Sequence, residues 1–172
     1  MNLSCWAAVT LLAHGQYWFR RLTGSIANIG VGVDNIDLAA AAARGIAVSN
    51  TPVVTEDTAD LAFALLLAAA RGVARGDRYV RAGNWSAGDP WALGQRVSGA
   101  TLGLVGFGEI AQAVARRAAG FGMKVVYWNR SARDDAAAAL GATRCADLDE
   151  LLGQADFVSL HLPLTAETEA LI

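Results

Sequence analysis

Histidine and cysteine are scarce in this chain, with two of each among 172 residues. So few histidines argue against a histidine-built metal centre, and no metal-ligand set is expected. The cysteines, Cys5 and Cys145, stand far apart and in no metal-like spacing. They read as free thiols of a reducing compartment, so a cytoplasmic location is expected. A basic surplus is also missing: 14 Lys and Arg against 16 Asp and Glu leave a formal charge of −2. Nucleic acid is therefore not an expected partner. Long apolar runs are absent too. Residues 61–70 are strongly apolar but too short to cross a bilayer. Residues 1–13 carry an apolar run with no basic start and no clear cleavage site, so neither a membrane span nor a signal peptide is expected.

What the chain has in quantity is apolar residues: 54% are hydrophobic and 17% charged, which predicts a sizeable core rather than disorder. The length suits one domain, or one domain and part of another. The organising stretch is TLGLVGFGEIAQAVARRAAGFGMKVVYWNRSAR, residues 101–133. Residues 102–105 form a short apolar run that predicts a buried strand. Residues 110–120 keep apolar side chains at helical spacing, and 124–128 are rich in strand formers. Between the first strand and the helix stands Gly106-Phe107-Gly108-Glu109-Ile110-Ala111. A glycine turn in this strand–turn–helix–strand setting predicts a dinucleotide site. Gly106 allows the sharp turn, Gly108 lets a pyrophosphate approach the backbone, and Ala111 lets the helix pack close to the strand. The helix start offers N–H groups and a partial positive charge to the phosphates, so Glu109 and Ile110 are expected beside them. An ordinary βα turn would explain Gly106 but gives no reason for Gly108.

The end of the second strand bears on the cofactor. A carboxylate there would bond the adenine-ribose hydroxyls of NAD and repel a 2′-phosphate. The chain instead has Asn129, Arg130, Ser131 and Arg133. Two guanidiniums and a hydroxyl suit a phosphate, so NADP(H) is expected in preference to NAD(H), which stays possible. If the arginines only line a solvated loop, the preference is open.

Elsewhere the pattern varies in clarity. Residues 1–24 cannot be placed: 2–13 suit a strand or a short helix, and the aromatics and charges of 16–21 follow no period. Residues 26–29 read as a strand, 30–35 as a turn, 38–44 as a helix capped by Asp34 or Asn35 and ended by Gly45, and 46–48 as a strand. Residues 55–75 predict one long helix with Glu56, Asp57 and Asp60 early and Arg71 and Arg75 late, as the helix dipole prefers. Its middle is apolar nearly all round and should be buried. Residues 76–98, with Trp85, Pro90 and Trp91, predict an irregular arm. Residues 134–140 and 148–154 read as helices, the second capped by Asp147. Residues 156–162 read as a strand ending at Pro163, and 165–172 begin a further element.

Four stretches in order, IANIGVGVDNIDLAAAAARGIAVSNTP, TEDTADLAFALLLAAAR, TLGLVGFGEIAQAVARRAAGFGMKVVYWNR and ADFVSLHLPLTAETEALI, resemble the D-isomer-specific 2-hydroxyacid dehydrogenase family. The GNWSAGDPWALG arm and the WNRS end of the second strand are most similar to its glyoxylate/hydroxypyruvate reductase branch. The likeness runs from about residue 25 to 172. It implies an α/β fold: a Rossmann-type doubly wound parallel sheet, incomplete here, with a remnant of a flavodoxin-like substrate domain. The implied division is 1–50 for the partial substrate domain, with 1–24 unmatched, and 51–172 for the dinucleotide-binding domain, incomplete at its C-terminus. It implies hydride transfer between a nicotinamide cofactor and a 2-oxo acid such as glyoxylate or hydroxypyruvate, in a homodimer when full length. The amides of Val31 and Gly32 are implied to hold the substrate carboxylate. Thr58 is implied near the nicotinamide, and Leu162, Pro163 and Thr168 along the cofactor. His161 matches a common family residue that is not the catalytic histidine, and reads as structural.

The family's catalytic arginine, carboxylate and histidine lie in later R-G, acidic and P-H segments, and no match to them occurs in these 172 residues. The expectation is a chain truncated at both ends that binds cofactor weakly and does not turn over substrate. The alternatives are a non-catalytic NAD(P)-binding module, acting as a sensor or a corepressor-like partner, and an NAD-dependent relative acting on phosphoglycerate, lactate or formate.

Overall fold

The computed structural model describes residues 24–86 and 93–172. The expectations for 2–13 and 16–21, and for Cys5, His14, Pro90 and Trp91, lie outside the described residues. The described chain falls into two compact units: residues up to Val54 with Pro163–Ile172, and Thr55–Leu162.

The larger unit holds α2 (Thr55–Arg71), α3 (Val73–Arg81), β3 (Thr101–Val105), α4 (Glu109–Ala119), β4 (Lys124–Trp128), α5 (Asp134–Leu140), β5 (Ala142–Arg144), α6 (Leu148–Gln154) and β6 (Phe157–Leu160). Its four strands are parallel and ordered β5-β4-β3-β6. A central strand of a parallel sheet is covered on both faces and so reads as an unbroken apolar run, as Leu102–Val105 does. Leu102 and Leu104 enter the core that α4 shares with Ala59 and Phe63 of α2. Gly103 faces α6 on the opposite side. A Cβ at Gly103 would stand 2.7 Å from Leu151 Cδ2 and 2.8 Å from Ala155 Cβ, so only glycine lets α6 lie so close to the sheet. The chain thus leaves β3 over one face and reaches β6 from the other. That reversal is the switch point at which open α/β sheets bind ligands, outside the carboxyl ends of β3 and β6.

Asp147 caps α6 as its sequence predicts, its carboxylate accepting from the Glu150 N–H at 2.8 Å. Asp147→Ala should cost about 1 kcal/mol of stability, read as a lower midpoint in thermal unfolding with cofactor affinity unchanged.

Several elements differ from their sequence expectation. The single helix over 55–75 is two helices, because Gly72 adopts φ +62° and stops the first. The second runs to Arg81 and takes the place of the first part of the expected irregular arm. α2 is also not buried all round: Ala59, Phe63 and Ala70 are buried while Leu61 and Leu65 are exposed. β5 had no expectation, since three residues of mixed character carry no period. Residues 165–172 form turns rather than a regular element.

The smaller unit holds β1 (Ser25–Ala27), α1 (Leu38–Ala43) and β2 (Ala47–Ser49), with β1 parallel to β2. Asp37, not Asp34 or Asn35, caps α1, accepting from the Ala40 N–H at 2.8 Å. It stands directly before the first helical residue, where a short carboxylate reaches the third helical N–H.

Candidate functional site

The glycine turn sits at the switch point. The Gly106 N–H donates to the Trp128 carbonyl at 2.8 Å, and the His161 N–H donates to the Val105 carbonyl at 2.8 Å. Gly106 has φ +89°, and a Cβ there would strike the His161 carbonyl and come within 2.9 Å of Leu162 Cδ2. The protein itself therefore requires glycine at 106. Gly108 differs. Its φ is −78°, which any residue adopts, and nothing lies within 4 Å of the place a Cβ would take. No protein atom explains the missing side chain, and the room it leaves lies at the start of α4. That start has no side-chain cap, so the first N–H groups of α4 find no capping acceptor on Gly108. Ala111 is fully buried, Ile110 is half-buried and Glu109 is exposed. A pyrophosphate fits this set of donors and this clearance.

Asn129 joins the turn to the loop that follows β4. Its Oδ1 accepts from the Phe107 N–H at 3.2 Å, and its Nδ2 donates to the Ser131 carbonyl at 2.8 Å. Ser131, Arg130 and Arg133 are exposed on the same loop. A cavity of about 460 Å³ opens there, lined by Gln112 and residues 132–136. Asp134 and Asp135 begin α5 and set negative charge beside Arg133. Two further residues serve the loop without having been anticipated. Gln112 Nε2 donates to the Phe107 carbonyl at 3.1 Å, and Arg144 donates to the Asn129 carbonyl at 3.4 Å. Gln112 was visible as the polar residue one helical turn after Gly108. Arg144 lies in β5, which left no signal.

His161 bonds the Ser159 hydroxyl at 2.9 Å, and burial holds its imidazole below the usual histidine range. With its carbonyl against Gly106, its visible work is packing the turn. Leu162 is half-buried beside it. Thr58 is exposed on the first turns of α2. That helix is tied to α4 by Glu56 and Asp60, which pair with Arg116 and Arg117. The two guanidiniums hold the Glu56 carboxyl below the usual carboxylate range. Cys145 is buried, and its thiol is raised by that burial.

In the smaller unit Val31 and Gly32 are exposed on the turn that follows β1. Gly32 also lines a cavity of about 440 Å³ with Asp34, Ile36, Leu38, Pro163 and Leu164. Thr168 has a local task. Its hydroxyl accepts from the Thr165 N–H at 2.8 Å and donates to the Pro163 carbonyl at 2.6 Å. Among the described residues no group of three His, Cys, Asp or Glu could hold a metal ion, and no helix is long and apolar enough to cross a membrane.

A parallel, doubly wound sheet with a glycine turn at its switch point defines a Rossmann-type dinucleotide-binding protein. Residues 63–172 match the model of the D-isomer specific 2-hydroxyacid dehydrogenase NAD binding domain, and the chain belongs to that family. The chain is 50% identical over 153 residues to a glyoxylate reductase of Thermococcus litoralis, covering 86% of this chain and 46% of that protein. It superposes on the crystal structure of a glyoxylate reductase from Paecilomyes thermophila with a TM-score of 0.76 at 41% identity, over 86% of this chain and 44% of that one. A D-lactate dehydrogenase from Aquifex aeolicus, crystallised with NAD and lactic acid, gives a TM-score of 0.74 at 35% identity, over 84% of this chain and 43% of that one. The chain therefore spans less than half the length of these relatives.

Proposed function

We propose that this chain carries the cofactor site and the carboxylate site of an NADP(H)-preferring D-2-hydroxyacid dehydrogenase acting on glyoxylate or hydroxypyruvate. The observation that carries the reading is Gly108, whose missing side chain no protein atom explains and whose clearance a pyrophosphate would fill. The relatives named as glyoxylate reductases support the substrate class. Arg130, Ser131 and Arg133, in place of a carboxylate, support the preference for a 2′-phosphate.

When bound, the reduced nicotinamide supplies a hydride to the carbonyl carbon of the 2-oxo acid. These residues contribute binding and orientation. The N–H groups of Glu109 and Ile110 meet the pyrophosphate, with Gly106 shaping the turn and Gly108 clearing the approach. Asn129 holds the Phe107 and Ser131 backbones in fixed relation, so that Arg130, Ser131 and Arg133 present their donors together. Thr58 would meet the nicotinamide, Leu162 and Pro163 the adenosine side, and Thr168 would be a further contact to the cofactor. Val31 and Gly32 hold the substrate carboxylate with backbone N–H groups. Residues 1–50 belong to the substrate domain and 51–172 to the dinucleotide-binding domain. The whole protein is a cytoplasmic homodimer, and the exposed Leu61 and Leu65 face of α2 belongs to its interface.

The test is a titration of the 172-residue chain with NADPH and with NADH, followed by calorimetry. NADPH should bind at least about 10-fold tighter, the worth of one charge-assisted contact; tighter binding of NADH would reverse the assignment. The isolated chain should not reduce glyoxylate or hydroxypyruvate in the presence of NADPH, and measurable turnover would contradict that part.

A further inference from the structure

The turn after β1 is held from one side only. The Gly30 carbonyl accepts from the Thr51 N–H at 3.0 Å. The Val31 carbonyl accepts from Asn50 Nδ2 at 3.0 Å. The Gly32 carbonyl accepts from Asn28 Nδ2 at 2.6 Å. These are three consecutive peptide planes, and no peptide bond among the described residues is cis. In a planar trans peptide the C=O and the following N–H point in opposite directions. Fixing each carbonyl on its donor therefore turns the N–H groups of Val31, Gly32 and Val33 away from Asn28, Asn50 and Thr51. Among the described residues none accepts a hydrogen bond from those three N–H groups.

The clamps are themselves secured. Asn28 is buried; its N–H donates to the Ser49 carbonyl at 2.8 Å, its Oδ1 accepts from Asn35 Nδ2 at 3.2 Å, and its carbonyl accepts from the Thr51 hydroxyl at 2.8 Å. Gly30, at φ +134°, permits the fold of the turn. A Cβ at Gly32 would stand 2.8 Å from the Asp34 carboxylate, so Asp34 sets negative charge beside the turn and tempers its attraction for an anion.

We infer that Asn50 and Asn28 are positioning residues, which fix the Val31 and Gly32 carbonyls so that the N–H groups of the turn stay aligned on a carboxylate. The inference rests on the reading of Val31 and Gly32 as the carboxylate site. It assigns the alignment to side chains that never touch the ligand. It also makes the donor chemistry of Asn50, not its size, the feature that matters: aspartate at 50 has the same shape but sets an acceptor against the Val31 carbonyl.

The experiment uses the ¹⁵N-labelled 172-residue chain and oxalate as the probe, with the Val31, Gly32 and Val33 amide resonances as readout. Oxalate should shift these resonances in the unaltered chain. Asn50→Ala and Asn50→Asp should each weaken the response about 10-fold, the worth of one net hydrogen bond to an ordered turn. Asn50 is exposed, so both variants should keep the unfolding midpoint of the parent. Asn28→Ala should lose the response as well, but its burial makes Asn50 the cleaner probe. If oxalate shifts none of these amides in the unaltered chain, the carboxylate reading fails and the inference falls with it. A shift of equal size and midpoint in the parent and both Asn50 variants would overturn the inference while leaving the carboxylate site in place.

Discussion

Gly106→Ala and Gly108→Ala should fail in opposite ways. At Gly106 the new methyl group must enter a left-handed conformation and meet the His161 carbonyl and Leu162. Strain of that kind costs about 2–4 kcal/mol, and the unfolding midpoint should fall by roughly 10 °C. Cofactor affinity would fall only as a consequence. At Gly108 the backbone is ordinary and the space is open, so the only structural cost is that alanine caps α4 less well than glycine, about 1 kcal/mol, and the unfolding midpoint should fall by no more than about 4 °C. NADPH affinity should nevertheless drop by at least about 10-fold, because the methyl group occupies the approach that the pyrophosphate needs. Thermal unfolding with and without NADPH separates the two effects. Equal destabilisation by both substitutions would mean that Gly108 serves the fold, and the argument for a cofactor at this turn would lose its main support.

Removing the guanidiniums beside β4 should change the choice of cofactor rather than the fold. Arg130 and Arg133 are exposed. The double substitution R130A/R133A should leave stability within about 0.5 kcal/mol. A charge-assisted contact to phosphate contributes about 1.5–3 kcal/mol. NADPH affinity should therefore fall by about 10–100-fold or more, while NADH affinity changes by less than about 3-fold. Asn129→Asp should act in the same direction by placing a carboxylate near the 2′-phosphate. It keeps an acceptor for the Phe107 N–H but loses the donor to Ser131, so some loosening of the loop is expected too. Salt offers a further check. The NADPH advantage should shrink as ionic strength rises, since the arginines lie in solvent. Parallel losses for both cofactors would show that the arginines support the loop without reading the phosphate.

The sequence showed most clearly the parts where one physical demand dominates. The apolar run of β3, the small residues at 106, 108 and 111, and the helical spacing of α4 all answer to burial on two faces and close backbone approach. The pattern there matches the observed elements to within a residue or two. The break at Gly72 was hidden because the residues on both sides favour helix, and one glycine within such a stretch is tolerated as often as it terminates. β5 is an edge strand of three residues of mixed character, paired with β4, and so short a run carries no period. Asn129 shows a different limit. Sequence marks it only as the residue at the end of the second strand in place of a carboxylate, while the fold uses both ends of its amide to join the glycine turn to the arginine loop. Contacts between residues 22 positions apart leave no periodic trace, and the clamps on the Val31 turn, which reach from Asn50 and Thr51, are invisible in sequence for the same reason.

The most direct test of the cofactor site is a titration of the ¹⁵N-labelled chain with NADPH, resolved amide by amide. The largest shifts should fall on Gly108, Glu109 and Ile110, with a second group at Arg130, Ser131 and Arg133, and they should saturate together. Saturable binding that leaves the 108–110 amides unmoved, or no binding by a chain that unfolds cooperatively, would contradict the assignment of this turn as the cofactor site.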